Sequence, residues 1–107
     1  MQRDRTGGCA AVNIYVGCFA PHVGPPRPNH MRLVWGEVVR EQGPPRVIEY
    51  TCECEDTVYE RCREGGLAYI RRTTRLDGVV QQVHETYRWP SKKAQDVWIA
   101  LLNGEAR

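Results

Sequence analysis

The side chains with the widest chemical range in this 107-residue chain are five cysteines and three histidines. Cys52 and Cys54 form a C-x-C step, with Cys62 and His84 further along. Thiolate and imidazole donors bind zinc in tetrahedral sets, commonly from knuckles with about two to four residues between ligands. Here the step is shorter than a knuckle, and no second knuckle follows. Cys18, His22 and His30 make a looser set in a proline-rich stretch. By period two, Cys52 and Cys54 share a strand face with Ile48 and Tyr50, where buried cysteine serves as a small apolar filler. The expectation is therefore no metal ligand and no cofactor.

Catalysis is expected to be absent as well. Cys62, His84 and Glu85 are of the types needed for a nucleophile, a base and an orienting group. Neighbours on a strand point to opposite faces, which separates His84 from Glu85. Gly7-Gly8 and Gly65-Gly66 lack the lysine and following helix of a phosphate loop, and neither H-E-x-x-H nor G-x-S-x-G occurs. No small-molecule substrate is evident.

What remains is cationic chemistry. Lys and Arg number 15 against 13 Asp and Glu, a formal charge of +2. The surplus is in the second half, with −1 over residues 1–56 and +3 over residues 57–107. Nearly all the cations are arginine, the better residue for forked contacts to phosphates and bases. GC-rich coding gives the same bias, and a polar sheet face covered by arginine stems is the ordinary alternative.

Whether these arginines share a surface depends on the elements that carry them. Residues 31–40, 46–54, 57–63, 67–76 and 79–89 read as strands, separated by turn clusters. Asp77-Gly78 is a strong two-residue type I′ signal. Near the C-terminus, Ala94, Val97, Trp98, Leu101 and Leu102 form one helical stripe, with Pro90 at its first turn, Ser91 as cap and Asn103-Gly104 as stop. The predicted fold is α+β: an antiparallel β-meander of four to five strands with one C-terminal helix packed on one face. Residues 1–30, with four prolines between 20 and 30, read as a flexible N-terminal arm that need not be native. Residues 31–107 read as a single domain.

A two-residue loop at Asp77-Gly78 pairs 74 with 81, 72 with 83 and 70 with 85. This puts Ala68, Ile70, Arg72, Thr74 and Glu85 on the helix side, with Arg72 and Glu85 as exceptions to its apolar character. For the loop at Glu64-Gly65-Gly66 two registers compete. A two-residue loop sets Glu60 opposite Arg71, a favourable cross-strand pair. A three-residue loop collects the apolar residues, and is preferred. It exchanges the faces and gathers Tyr59, Arg61, Arg63, Tyr69, Arg71, Arg75, His84 and Arg88 on the outer face. Lys92 and Lys93 lie nearby, in a first helical turn where cations oppose the helix dipole. Such a face would suit duplex DNA, with arginines reaching base edges and phosphates from a sheet. The rival partner is protein, either a second copy or another chain, through Ile99, Trp35, Trp89 and an open edge strand.

An odd cysteine count and the absence of a convincing secretory leader suggest reduced cysteines and a cytoplasmic protein. Arg3 and Arg5 before the apolar residues 9–20 imitate a short leader, but Asn13 and Tyr15 interrupt it. No apolar stretch reaches the length of a membrane span.

The run Val58-Tyr59-Glu60-Arg61-Cys62-Arg63-Glu64-Gly65-Gly66-Leu67-Ala68-Tyr69-Ile70-Arg71-Arg72-Thr73, together with the ending Trp98-Ile99-Ala100-Leu101-Leu102-Asn103-Gly104-Glu105-Ala106-Arg107, resembles short uncharacterised proteins of actinobacteria. The resemblance spans about residues 50–107. It implies a bacterial, mobile-element origin and carries no activity and no site residues.

Overall fold

The computed structural model describes residues 18–38 and 45–107. The elements run β1 (Gly36–Glu37), β2 (Arg46–Tyr50), β3 (Thr57–Glu64), β4 (Leu67–Leu76), β5 (Val79–Glu85), β6 (Trp89–Pro90) and α1 (Ser91–Leu102). All strand pairings are antiparallel, in the order β1-β5-β4-β3-β2, with β6 beside the start of β4. The α+β class stands: one antiparallel sheet with a single C-terminal helix packed against it.

The meander holds only from β2 to β5. Of the strand expected over 31–40, the described residues 31–38 form only Gly36–Glu37, which pairs with β5 and not with β2, while residues 39 and 40 lie outside the described residues. Residues before it are committed to the C-terminus. Met31 donates its amide to Glu105 (2.8 Å), and its carbonyl accepts from Arg107 (2.9 Å). The Trp35 indole donates to the Arg107 carbonyl at 2.8 Å.

Two turns and one bulge determine which side chains share a face. Asp77 and Gly78 have φ of 54° and 81°, the paired left-handed conformations of a type I′ turn. Glu64 pairs with Leu67, so the preceding loop has two residues, and Gly65 supplies the positive φ of 61°. The three-residue loop expected there is thus corrected, and with it the register. Cys62 faces Tyr69, Glu60 faces Arg71 and Arg61 faces Ile70. The favourable Glu60–Arg71 pair belongs to this shorter loop. A bulge between Thr74 and Arg75 then moves the β5 pairing by one residue, so that Glu85 stands opposite Arg71 and His84 opposite Arg72. Glu85 is therefore not an exception on the helix face; it belongs to the other side.

The core lies between sheet and helix. Tyr59, Ile70, Val97, Trp98 and Leu101 are buried together, with Val23, Leu33, Trp35, Trp89 and Leu102 around them. The predicted helical stripe is the buried one. Each large member contributes about 2 kcal/mol through loss of apolar surface from water. The helix start differs from expectation. Pro90 occupies the cap position at φ −56°, ψ 151°, with no side-chain cap bond, and Ser91 is already helical. Pro90 is still paired with Leu67, so the last strand residue also begins the helix.

The described part of the proline-rich segment is tied to the far end of α1. The Gly24 amide donates to Leu102 O and the Arg27 amide to Gly104 O, each at 2.8 Å. The Arg107 guanidinium donates to the Gly24 carbonyl. Gly104 has φ 79°, and a Cβ there would run into the Pro25 carbonyl. Gly24 and Arg27 are thus hydrogen-bonded to the C-terminal residues of the domain. Residues 1–17, including Cys9 and most of the leader-like stretch, lie outside the described residues. No helix among the described residues is long and apolar enough to cross a membrane.

Candidate functional site: a cysteine–histidine cluster beside the outer sheet face

The corrected register divides the expected Arg/Tyr surface between two faces. Tyr59 is in the core, its ring centroid 6.1 Å from that of Trp35. Arg61 lies on the same helix-side face, its side chain 8% exposed, donating from Nη2 to Glu49 at 2.9 Å. Arg63 is on that side too, opposite Ala68. His84 is beside Arg72, which stacks over Trp35 at 4.4 Å. Tyr69, Arg71 and Arg88 are on the outer side. Lys92 pairs with Asp96 at 3.1 Å, and Lys93 is exposed on the helix. Arg61 and Arg71 therefore stand on opposite sides of the β-layer, because a one-residue change of register exchanges the faces.

On the outer face the arginines are paired within the chain. Arg71 donates from Nε (3.2 Å) and Nη2 (3.0 Å) to Glu85 Oε2. Arg88 reaches Glu85 Oε1 at 3.2 Å and Glu64 at 2.8 Å, and lies 3.8 Å above the Tyr69 ring. Burial works against the charge of Arg71, but its bonds to Glu85 and the charge of that carboxylate hold its pKa above the ordinary value. Beneath this layer, burial pushes the Cys62 thiol up to about 11 and the Tyr69 hydroxyl up to about 12. Burial also raises Glu60, against the opposing pull of Arg71.

The principal concentration of donor atoms combines halves of the two sets considered separately in the sequence. Cys18, His22, Cys52 and Cys54 each offer one ligand atom, and these four atoms all lie within 4.8 Å of one another. Local structure explains the meeting. Proline keeps residues 21–28 out of a helix, and the Cys52 amide donates to the Pro21 carbonyl at 2.9 Å. The β2–β3 pairing shifts between Val47 and Glu49, and the regular strand ends at Tyr50. Cys52 and Cys54 therefore lie in the connecting loop and are not strand fillers behind Ile48 and Tyr50.

Arg75, on the same side of β4 as Arg71 by strand alternation, secures this loop. Its Nη2 donates to the carbonyls of Glu53 (2.7 Å) and Glu55 (3.1 Å), and its amide to Asp56 O (2.9 Å). His22 places Nε2 3.4 Å from Cys54 Sγ and Nδ1 3.3 Å from the Glu55 carboxylate. Cys18 and Cys54 are disulfide-bonded. This corrects the expectation that all five cysteines are reduced, since docking of the 18–22 segment brings the sulfurs together. Cys62 is a separate, fully buried free thiol, and His30 binds back to the Arg27 carbonyl.

Next to the cluster is a hollow of about 530 Å³, lined by Phe19, Ala20, Val47, Tyr50, Cys52, Glu53 and Glu60. Phe19 is 96% exposed at its rim, and Tyr50 is half-exposed. Compared with known proteins, the chain matches no family model, no curated protein and no solved structure.

Proposed function

We propose that the protein is a small non-catalytic module that binds an extended segment of another protein along β2. The observation that carries this reading is the convergence of Phe19, Val47 and Tyr50 at one margin of the sheet, where among the described residues β2 pairs with β3 alone. A sheet margin offers backbone groups to an added strand, while pockets beside it select alternate side chains. The hollow presents apolar walls and the half-buried Glu60 carboxylate. The partner strand this suits carries an apolar side chain and a Lys or Arg near it.

Protein is favoured over nucleic acid because phosphate recognition draws on uncommitted cations. Arg61, Arg71, Arg75 and Arg88 are instead engaged with carboxylates and carbonyls of their own chain. A catalytic thiol is a thiolate near neutral pH, whereas Cys62 is buried with its pKa raised.

The test is selection from a displayed library of extended peptides, using the full chain as bait. The expected binders combine apolar and basic residues, and Val47→Glu weakens them by about tenfold or more while Lys93→Glu does not. Absence of enrichment, or binders indifferent to Val47→Glu, overturns the reading. So does retardation of duplex DNA that fades steeply with salt, which would return the function to nucleic acid. A concentration-dependent mass lost in Val47→Glu would identify the added strand as a second copy of the chain and overturn the proposal of a foreign partner.

A further inference from the structure

We propose that Cys18, His22, Cys52 and Cys54 form a structural zinc site that staples the 18–30 segment to the sheet. Three thiolates and one imidazole are a soft, four-donor set, which selects Zn²⁺ in tetrahedral geometry among common cellular divalent ions. With Zn–S near 2.3 Å and Zn–N near 2.0–2.1 Å, the edges of such a tetrahedron are about 3.5–3.8 Å. The four ligand atoms all lie within 4.8 Å of one another, close enough to gather around one ion once the bonded Cys18 and Cys54 sulfurs are reduced and part to that edge length.

A second observation points the same way and comes from outside the cysteines. Metal-bound histidines give their other ring nitrogen to a carboxylate, which fixes the tautomer and turns the free lone pair toward the ion. His22 has this arrangement, with Nδ1 on Glu55 and Nε2 facing the sulfurs. The support extends one shell further, through the Arg75 guanidinium on the carbonyls of the same loop. All four ligands come from the protein, so no position is left for substrate, and the role is structural.

Zinc takes thiolates, so loading starts from the reduced cluster. An external dithiol passes two electrons and two protons to the disulfide state of Cys18 and Cys54, becoming a disulfide itself and leaving thiols. Zn²⁺ then displaces the three thiol protons to solvent and accepts the lone pair of His22 Nε2. The disulfide and the metal are thus alternative ways of closing the same contact.

The test uses the full chain, purified without chelator under a phosphine reductant, with zinc measured by mass spectrometry. About one equivalent per chain is expected, with the site refilled by Co²⁺ showing tetrahedral d–d and thiolate charge-transfer bands. Cys52→Ser and His22→Ala are expected to lose at least nine-tenths of the metal, and Cys62→Ser to retain it. Reduced, folded wild-type protein holding under a tenth of an equivalent after zinc addition overturns the proposal, and needs no variant to fold. Full retention of zinc in Cys52→Ser and His22→Ala overturns it equally. These readouts are independent of peptide binding at β2, so either proposal can fail alone.

Discussion

Glu85 is the residue whose removal most directly tests the account of the outer face. Its side chain is 7% exposed and bridges Arg71, 18% exposed, to Arg88, 28% exposed. Glu85→Ala removes three charge-assisted hydrogen bonds and leaves Arg71 without its carboxylate. Breaking a fully buried pair by removing one partner costs about 3–5 kcal/mol. The partial solvent access of both arginines lowers this to about 2–3 kcal/mol. For a domain of this size that corresponds to a fall in Tm of about 10–20 °C.

Thermal and urea unfolding followed by tryptophan fluorescence would measure the loss. Asp96→Ala provides the reference, since it removes an ion pair whose side chains are 80% and 56% exposed. Its expected effect is within about 0.5 kcal/mol. A Glu85→Ala loss no larger than that of Asp96→Ala would refute the reasoning, because the outer arginines would then be energetically free for another ligand. A double-mutant cycle of Arg71 with Glu85 would assign the coupling to the pair itself.

Other outcomes follow from the same geometry. Cys62 and Tyr69 have pKa values raised from 9.0 and 10.0 to about 11 and about 12, so the folded chain keeps protons that the unfolded chain releases. Their stabilisation is complete below about pH 9 and is lost as pH rises toward about 12; a urea midpoint constant over that interval would contradict it. Gly104→Ala meets both a left-handed φ and the Pro25 carbonyl, and should cost at least about 2 kcal/mol, with earlier proteolysis at residues 18–30 as the check. Arg75→Met should speed amide exchange in residues 52–56 and lower stability by about 1 kcal/mol, while an unchanged exchange profile would show that the loop is held by other contacts.

The helix and the hairpin centres were legible because each rests on local rules. The apolar stripe of α1 is a matter of period, and Asp77-Gly78 has the conformations its residue types favour. Faces were less legible, since they depend on loop length to the single residue. Two glycines and a glutamate permit either count, and collecting apolar residues favoured the longer loop. The Glu60–Arg71 pair pointed to the right one. The bulge at Thr74 and Arg75 has no comparable local mark. The donor cluster was hidden for another reason: its halves are some thirty residues apart, and their meeting depends on a backbone bond from Cys52 to Pro21. The available signal was the complementarity of a C-x₃-H and a C-x-C fragment, each incomplete alone.

Sheet order also has a kinetic consequence. β1 and β2 are successive in sequence but stand at opposite margins, each resting on a strand that the central ribbon must first present. The two tight hairpins around β4 can zip early, since loop closure there spans only two residues at each turn. The outermost strands then dock independently, and the rate of reaching the native state is governed by how soon the middle of the sheet exists.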